Sequence, residues 1–310
     1  MMRIAIAGVG AMGCLFGARL SPHAEVTLFG RWPEQIAALR AAPLRLIGLD
    51  ESEQLVQITV TDDPTTIGEV DAALVLTKSG GTLRAAQVLA GLIRPDGVVI
   101  TLQNGIGNLE MLASVLGPER VTQGVTMMGA ATDGPGVVRI GGEGPTYLGI
   151  HSTAPQVMDE VADLLTAAGF ETHRSDDLRG LVWGKLAVNA AINPLTALLG
   201  VPNGALLESR WARDLMREAV QEVEIVAAVK GIRLPFDDPA QRVEEVARAT
   251  ARNRSSMLQD ILRGAETEIE VISGAVVRLG HEVNVPTPVN ALLYRLVKAL
   301  EDQRRWTGGA

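Results

Sequence analysis

A chain of 310 residues with 47% apolar content is long enough for two ordinary domains, each with its own core. Aromatic residues make up only 3%, and the net charge is -8 with no long Lys/Arg block. Stacking platforms for single-stranded nucleic acid, and basic footprints for a phosphate backbone or an anionic membrane, are therefore not expected. The one cysteine, Cys14, cannot form an intramolecular disulfide, so the cytoplasm is the default compartment.

The chain opens on a largely apolar run, Ile4 to Phe16, behind Arg3, which mimics a signal peptide. The spacing of Gly8, Gly10, Gly13 and Gly17 favours another reading. Gly8-Val9-Gly10-Ala11-Met12-Gly13 lies between a buried strand and an Ala/Leu-rich helix, which is the context of a dinucleotide fingerprint. The first glycine permits the tight turn, the second lets the backbone approach a pyrophosphate, and the third allows close helix-strand packing. With 33 glycines in the chain, a purely structural turn is the alternative. Cys14, directly after this motif, reads as a small packing residue.

The next apolar run, Val26 to Phe29, leads into Gly30-Arg31-Trp32. An NAD site usually carries Asp or Glu there to hold the ribose hydroxyls, whereas a guanidinium suits a 2′-phosphate. Arg31, with Lys78 after the strand Ala72 to Leu76, favours NADPH over NADH; both could instead be ordinary solvated charges. The strand Val98 to Leu102 ends in Gln103-Asn104-Gly105-Ile106-Gly107, at the sheet edge where such folds place ligands, although Asn-Gly alone also reads as a turn. Val137 to Ile140 and Tyr147 to Ile150 flank a Gly-rich stretch and read as an antiparallel hairpin. Residues 1–175 thus read as an α/β, Rossmann-type, doubly wound domain.

After about Asp176 the strand signals stop, and residues 176–310 read as an all-helical domain. In Lys185-Leu-Ala-Val-Asn189-Ala-Ala-Ile-Asn193-Pro194, polar side chains recur every fourth position among apolar neighbours. On a helix they share one face. Burying such a row costs roughly 1 to 3 kcal/mol per unsatisfied group, so a polar ligand is its natural partner. Lys185 could otherwise snorkel to solvent, and Asn193 before Pro194 could mark a kink. Helices are expected from Leu207 to Lys230, with Gly231 as stop, and from Ala240 to Arg263, with Gly264 as stop. Thr267-Glu268-Ile269-Glu270 has the form of a capping box opening a further helix. No repeat or low-complexity linker separates the halves, so a cleft between packed domains is expected. The long Ala/Val-rich helices are of the kind that can support a homodimer. His23, His151, His173 and His281 show neither metal nor triad spacing.

Taken together, the Asn104 loop, the comb at Lys185, Ser255-Ser256-Met257-Leu258-Gln259-Asp260 and Thr267-Glu268-Ile269-Glu270 resemble the ketopantoate reductase (2-dehydropantoate 2-reductase) family over essentially the whole chain. The resemblance implies NADPH-dependent reduction of 2-dehydropantoate to pantoate, a step toward coenzyme A. It implies Lys185 as the proton donor to the ketone oxygen, and Asn189, Asn193 and Asn203 as substrate contacts. It also implies Ser256 at the substrate carboxylate and Glu268 bridging substrate and cofactor, with Asn104 and Ala130 touching one or the other. Glu268 in a first helical turn would also suit the macrodipole, and Ser256 could bond back to its own backbone. The chain departs from the family at Ser79-Gly80-Gly81-Thr82, where a bulkier segment with an aromatic is common, so a looser loop is expected there. Other 2-oxo acids, or a nonenzymatic NADPH-binding sensor, are the competing readings.

Overall fold

The structure is a computed structural model that describes residues 1–151 and 153–307. Tertiary contacts divide the chain into two units: residues 1–103 with 108–178, and the short loop 104–107 with residues 179 onward.

The strands of the first unit are, in chain order, β1 (Arg3–Ala7), β2 (Glu25–Phe29), β3 (Leu44–Ile47), β4 (Glu53–Val56), β5 (Thr59–Thr61), β6 (Val70–Val75), β7 (Ile93–Thr101), β8 (Val121–Thr126), β9 (Gly129–Thr132), β10 (Val137–Gly142), β11 (Thr146–Gly149) and β12 (Thr172–Ser175). The helices among them are α1 (Ala11–Leu20), α2 (Pro33–Ala41), α3 (Thr82–Leu89), α4 (Asn108–Leu116) and α5 (Pro155–Ala167). Eight strands form the main sheet in the order β12-β11-β8-β7-β6-β1-β2-β5. Its pairs are parallel except β11 with β8.

The apolar run of β1 explains why this sheet is covered on both faces. Ile4 and Ile6 enter one core with Phe16 and Leu28, while Ala5 and Ala7 enter another with Ala73, Val75 and Leu89. Alternate side chains of one strand thus feed two cores, as continuous apolar parallel strands require. Register pairs Ala7 with both Phe29 and Val75, and Val75 with Thr101. The loops after these four strands therefore leave from one edge.

The expected hairpin between Val137 to Ile140 and Tyr147 to Ile150 is not formed. β10 pairs antiparallel with β9 and parallel with β3, in a separate four-stranded sheet, whereas β11 pairs with β8 and β12 in the main sheet. The tight turn lies earlier, at Asp133-Gly134-Pro135-Gly136, where Asp133 N donates to Val137 O. The later Gly141-Gly142-Glu143-Gly144-Pro145 run is a crossing between sheets, because nonlocal partners claim both strands.

The second unit contains α6 (Leu178–Leu199), α7 (Arg210–Val229), α8 (Pro239–Ala249), α9 (Ser256–Arg263), α10 (Ser273–Glu282) and α11 (Pro288–Thr307). Its core joins Trp183, Leu186 and Ala190 of α6 to Val220 and Val223 of α7, Val276 of α10 and Leu293 and Val297 of α11. Gly231 and Gly264 take left-handed φ values of 69° and 75° just beyond α7 and α9, as the expected stops require. No helix among the described residues is long and apolar enough to cross a membrane.

Two local expectations fail here. The single helix expected from Ala240 to Arg263 is broken between α8 and α9. Asn203 N and Gly204 N donate to the carbonyls of Asn253 and Ala251, and Ser255 Oγ accepts from Leu258 N to start a new helix. The capping box is not formed either. The Thr267 hydroxyl accepts from Ile269 N, Thr267 N donates to Glu301, and the Glu270 carboxylate accepts from the Tyr294 hydroxyl. Tertiary partners outbid the local signal, and the helix begins only at Ser273.

The start of α11 is capped from another helix. Glu222 of α7, only 8% exposed, accepts from Val289 N at 2.7 Å, Asn290 N at 2.9 Å and Asn290 Nδ2 at 2.8 Å. Hydrogen bonds to a buried carboxylate are among the stronger ones. Glu222→Ala is expected to cost about 2 to 4 kcal/mol in denaturant unfolding, because it strands these donors; a loss below about 0.5 kcal/mol would contradict the cap.

Candidate functional site

The glycine loop after β1 is shaped by contacts that only glycine tolerates. Gly8 has φ 134°, and a Cβ there would lie 2.8 Å from the Leu76 carbonyl carbon. A Cβ on Gly13 would lie 1.9 Å from Gly8 O, so the helix-strand approach leaves no room for a side chain. At Gly10 a Cβ would meet nothing within 4 Å, which leaves open space against the backbone. Gly10 also precedes α1 as its N-cap, with no side-chain cap bond. Uncapped first-turn N–H groups beside an open backbone form an anion cradle. Val9 is buried, while Ala11 and Met12 in the first turn of α1 are partly exposed.

Arg31 lies exposed two residues beyond β2, and Lys78 lies exposed three residues beyond β6, at the same sheet edge. Ala130 sits elsewhere, in β9 of the smaller sheet, paired with Ile140. Ser79–Gly81 makes a short 3-10 turn into α3, and Thr82 at its end is fully buried. What holds this edge together is a polar network that no sequence motif marks. Gln103, 8% exposed, donates through Nε2 to Thr77 O at 2.9 Å and to Thr82 Oγ1 at 2.8 Å, and accepts from Thr101 Oγ1 at 2.9 Å. Thr82 Oγ1 then donates to Asn108 Oδ1 at 3.0 Å. The clue was a polar cluster directly after an apolar strand. Cys14 is fully buried, and burial pushes its thiol up to about 11 against a lowering hydrogen bond from Gln35. It is a packing residue, as its surroundings suggested.

In the second unit the comb lies on α6. Lys185 and Asn189 are half-buried and Asn193 is buried, one helical turn apart from each other, while Leu186, Ala187, Ala190 and Ala191 pack into the core. Pro194 lies inside the helix, and Thr196 Oγ1 donates into the Ile192 and Asn193 carbonyls at 3.0 Å each. A hydroxyl thus serves carbonyls in the turn that the proline disturbs.

Lys185 lies within electrostatic range of Glu268. Burial pushes the Lys185 ammonium from 10.5 down to about 8, and the Glu268 carboxylate pulls it back upward. Glu268 is itself only 6% exposed and accepts from Asn104 Nδ2 at 3.1 Å. Asn104 arrives there because its loop docks on the same turn: Ile106 N donates to Val271 O at 3.0 Å. Gly105 must be glycine, with φ 82° and the Val271 oxygen 2.3 Å from where a Cβ would stand. The carboxylate that Asn104 holds is thus the one whose charge acts on the Lys185 ammonium. That charge helps hold a proton at Lys185 Nζ close to neutral pH.

The remaining candidates are more dispersed. Asn203, 8% exposed, donates through Nδ2 to Thr250 Oγ1 at 2.9 Å; its Oδ1 is buried without a hydrogen-bond partner among the described residues. Ser256 is exposed as the first residue of α9. Its neighbour Ser255, 6% exposed, is the N-cap, with Oγ 2.7 Å from Thr196 Oγ1.

Residues 4–153 match the model for ketopantoate reductase PanE/ApbA, and residues 177–301 match the model for its C-terminal part. A 2-dehydropantoate 2-reductase of Halobacterium salinarum is 36% identical over 299 residues, covering 96% of this chain and 98% of that protein. The Archaeoglobus fulgidus 2-dehydropantoate 2-reductase is 36% identical over 302 residues, covering 97% and 98%. Among solved structures, a PanE/ApbA family ketopantoate reductase from Ralstonia eutropha aligns with a TM-score of 0.90 at 33% identity, covering 98% of this chain and 100% of that one. A ternary structure of D-mandelate dehydrogenase with NADH and anilino(oxo)acetate aligns with a TM-score of 0.91 at 30% identity, covering 98% and 99%.

The depressed Lys185 pKa has a stability consequence. An ammonium displaced by 2.5 pH units costs the native state about 3 kcal/mol at neutral pH. The cost is present below pH 8 and disappears as pH rises from about 8 to 10.5, where the folded chain has already released the proton. Lys185→Met combined with Glu268→Gln, so that no buried carboxylate is left without its cation, is expected to raise Tm at pH 7, with the gap closing toward pH 10; a double variant less stable than the parent at pH 7 would contradict this cost.

Proposed function

The chain belongs to the ketopantoate reductase family, and from that membership we propose that it reduces 2-dehydropantoate to pantoate with NADPH, Lys185 supplying the proton. We assign cofactor binding to residues 1–175 and substrate chemistry to residues 176–310. The observation that carries the reading is the half-buried Lys185 ammonium held beside the Glu268 carboxylate, with its pKa near 8.

The glycine loop fits a dinucleotide, since Gly10 leaves its backbone open and α1 begins uncapped. Val9, Ala11 and Met12 would line the pyrophosphate path, and Arg31 and Lys78 would hold the 2′-phosphate that distinguishes NADPH. Asn104, Ala130 and Glu268 would complete the contacts. The bound cofactor supplies the hydride.

A ketone that accepts hydride becomes an alkoxide. The Lys185 ammonium stabilises that charge as it develops, then gives its proton to the oxygen. A donor with a pKa near 8 is charged at neutral pH and still releases its proton readily. Glu268 keeps Lys185 protonated, and Asn104 keeps Glu268 in place. Asn189 and Asn193 offer amides to substrate oxygens along the same helix. Asn203 is assigned to the substrate by the family resemblance alone, since Thr250 engages its Nδ2 and its Oδ1 is enclosed. Ser256, at the first turn of α9, sits where a carboxylate is favoured. The product serves coenzyme A synthesis.

The similarity to D-mandelate dehydrogenase supports a second reading, reduction of another 2-oxo acid on the same residues. Comparing kcat/KM across branched and aromatic 2-oxo acids decides between them. If none turns over, while NADPH still binds, both readings fail and a cofactor-binding sensor gains.

Two measurements test the site. Reduction requires protonated Lys185, so its rate is expected to be level at neutral pH and to fall above pH 8, whereas the reverse oxidation rises there. Lys185→Ala should lower kcat by about 10²- to 10⁴-fold while NADPH binding persists; a smaller loss or an unshifted pH limb would remove Lys185 from the mechanism. For the cofactor, Arg31→Asp should move preference toward NADH, and an unchanged NADPH preference would refute the role of Arg31.

A further inference from the structure

Glu268 lies between α9 and α10, in a stretch that forms no regular helix, so its carboxylate needs support from elsewhere. One face of α11 supplies it. Tyr294, Lys298 and Glu301 are spaced four and three residues apart, which puts them side by side on a helix. Glu301 Oε1 accepts from Thr267 N at 2.8 Å and from Thr267 Oγ1 at 2.7 Å, immediately before Glu268. Tyr294 OH donates to Glu270 Oε2 at 2.8 Å, two residues after it. Lys298 Nζ holds the other Glu301 oxygen at 2.7 Å, and the Glu301 side chain is only 12% exposed. The catalytic turn is thus pinned on both sides of Glu268.

We propose that Glu301 is a positioning residue: by clamping Thr267 through two charge-assisted hydrogen bonds, it fixes the Glu268 carboxylate against Lys185 and Asn104. The inference rests on Lys185 and Glu268 acting as described above. Ordering a backbone residue costs conformational entropy, and charge-assisted bonds of this geometry are among those able to offset it. Burial pushes the Glu301 carboxyl up, but its bonds to Lys298 and Thr267 outweigh burial and hold it below the ordinary range. The clamp is therefore charged at working pH. Glu270, Tyr294 and Lys298 are the other ionisable groups around it.

The test is a double-mutant cycle in the full-length protein, with Glu301→Gln, Glu268→Gln and the double variant compared for kcat, KM and the pH profile. Glu301→Gln is expected to lower kcat by about tenfold and to move the alkaline limb to lower pH, because a displaced carboxylate supports the Lys185 ammonium less. The same change made on top of Glu268→Gln should then have no further effect. Thr267→Val, which removes one of the two donors, should act in the same direction but more weakly, and Thr267→Ser should restore parental behaviour. This pair keeps the test open if Glu301→Gln fails to fold. Equal factors in both backgrounds, or a lower Tm with kcat and pH profile unchanged, would overturn the positioning role. Full activity of Glu268→Gln would instead sink the reading of the Lys185 site itself, and the inference with it.

Discussion

An ammonium group on a helix whose other residues pack into a core has to be supported or expelled, and most of the polar architecture of the second unit follows from supporting it. Lys185 stands among Leu186, Ala187, Ala190 and Ala191, and burial alone drives its charge toward neutrality. Glu268 opposes that drift, yet Glu268 is itself nearly enclosed and would be costly without a donor. Asn104 supplies the donor. Its loop can reach the turn only because Gly105 has no Cβ to strike Val271. Each support thus creates the next requirement, from helix to turn to loop.

Such an arrangement is poor engineering for stability and, in the proposed reaction, good engineering for proton transfer. A half-buried lysine paired with a buried carboxylate weakens the fold where a well-packed apolar pair in place of both would strengthen it. The same desolvation brings the proton within easy release near neutral pH, which an exposed lysine does not offer. In the first unit the investment is of another kind. There the sheet ends four parallel strands on one edge, Gly8 and Gly13 let strand, loop and helix pack closely, and Gly10 leaves open space against the backbone.

The parts of this fold that could be read from sequence are those decided within a few residues. The parallel strands announced themselves by continuous apolar runs, the glycine loop by steric demands at Gly8 and Gly13, and the stops at Gly231 and Gly264 by left-handed φ. The comb at Lys185 was legible because helical period alone puts its members on one face. What escaped was decided by distant partners. β10 and β11 look like two arms of a hairpin, yet β9 and β8 claim them for different sheets. Thr267 and Glu270 look like a capping box, yet Glu301 and Tyr294 draw both away. The break between α8 and α9 depends on donors at Asn203 and Gly204, roughly fifty residues upstream by sequence. Glu301 carried no local signal beyond being polar, and Gln103 only its place in a polar cluster after an apolar strand, because their roles exist only once other segments have arrived.

The most direct test of this account is a side-chain NMR titration of Lys185 in the free protein and in Glu268→Gln. A midpoint near 8 is expected in the parent chain and a lower one in the variant, where burial acts without the opposing carboxylate. A Lys185 that titrates at the ordinary lysine value of about 10.4, unmoved by the loss of Glu268, would contradict it.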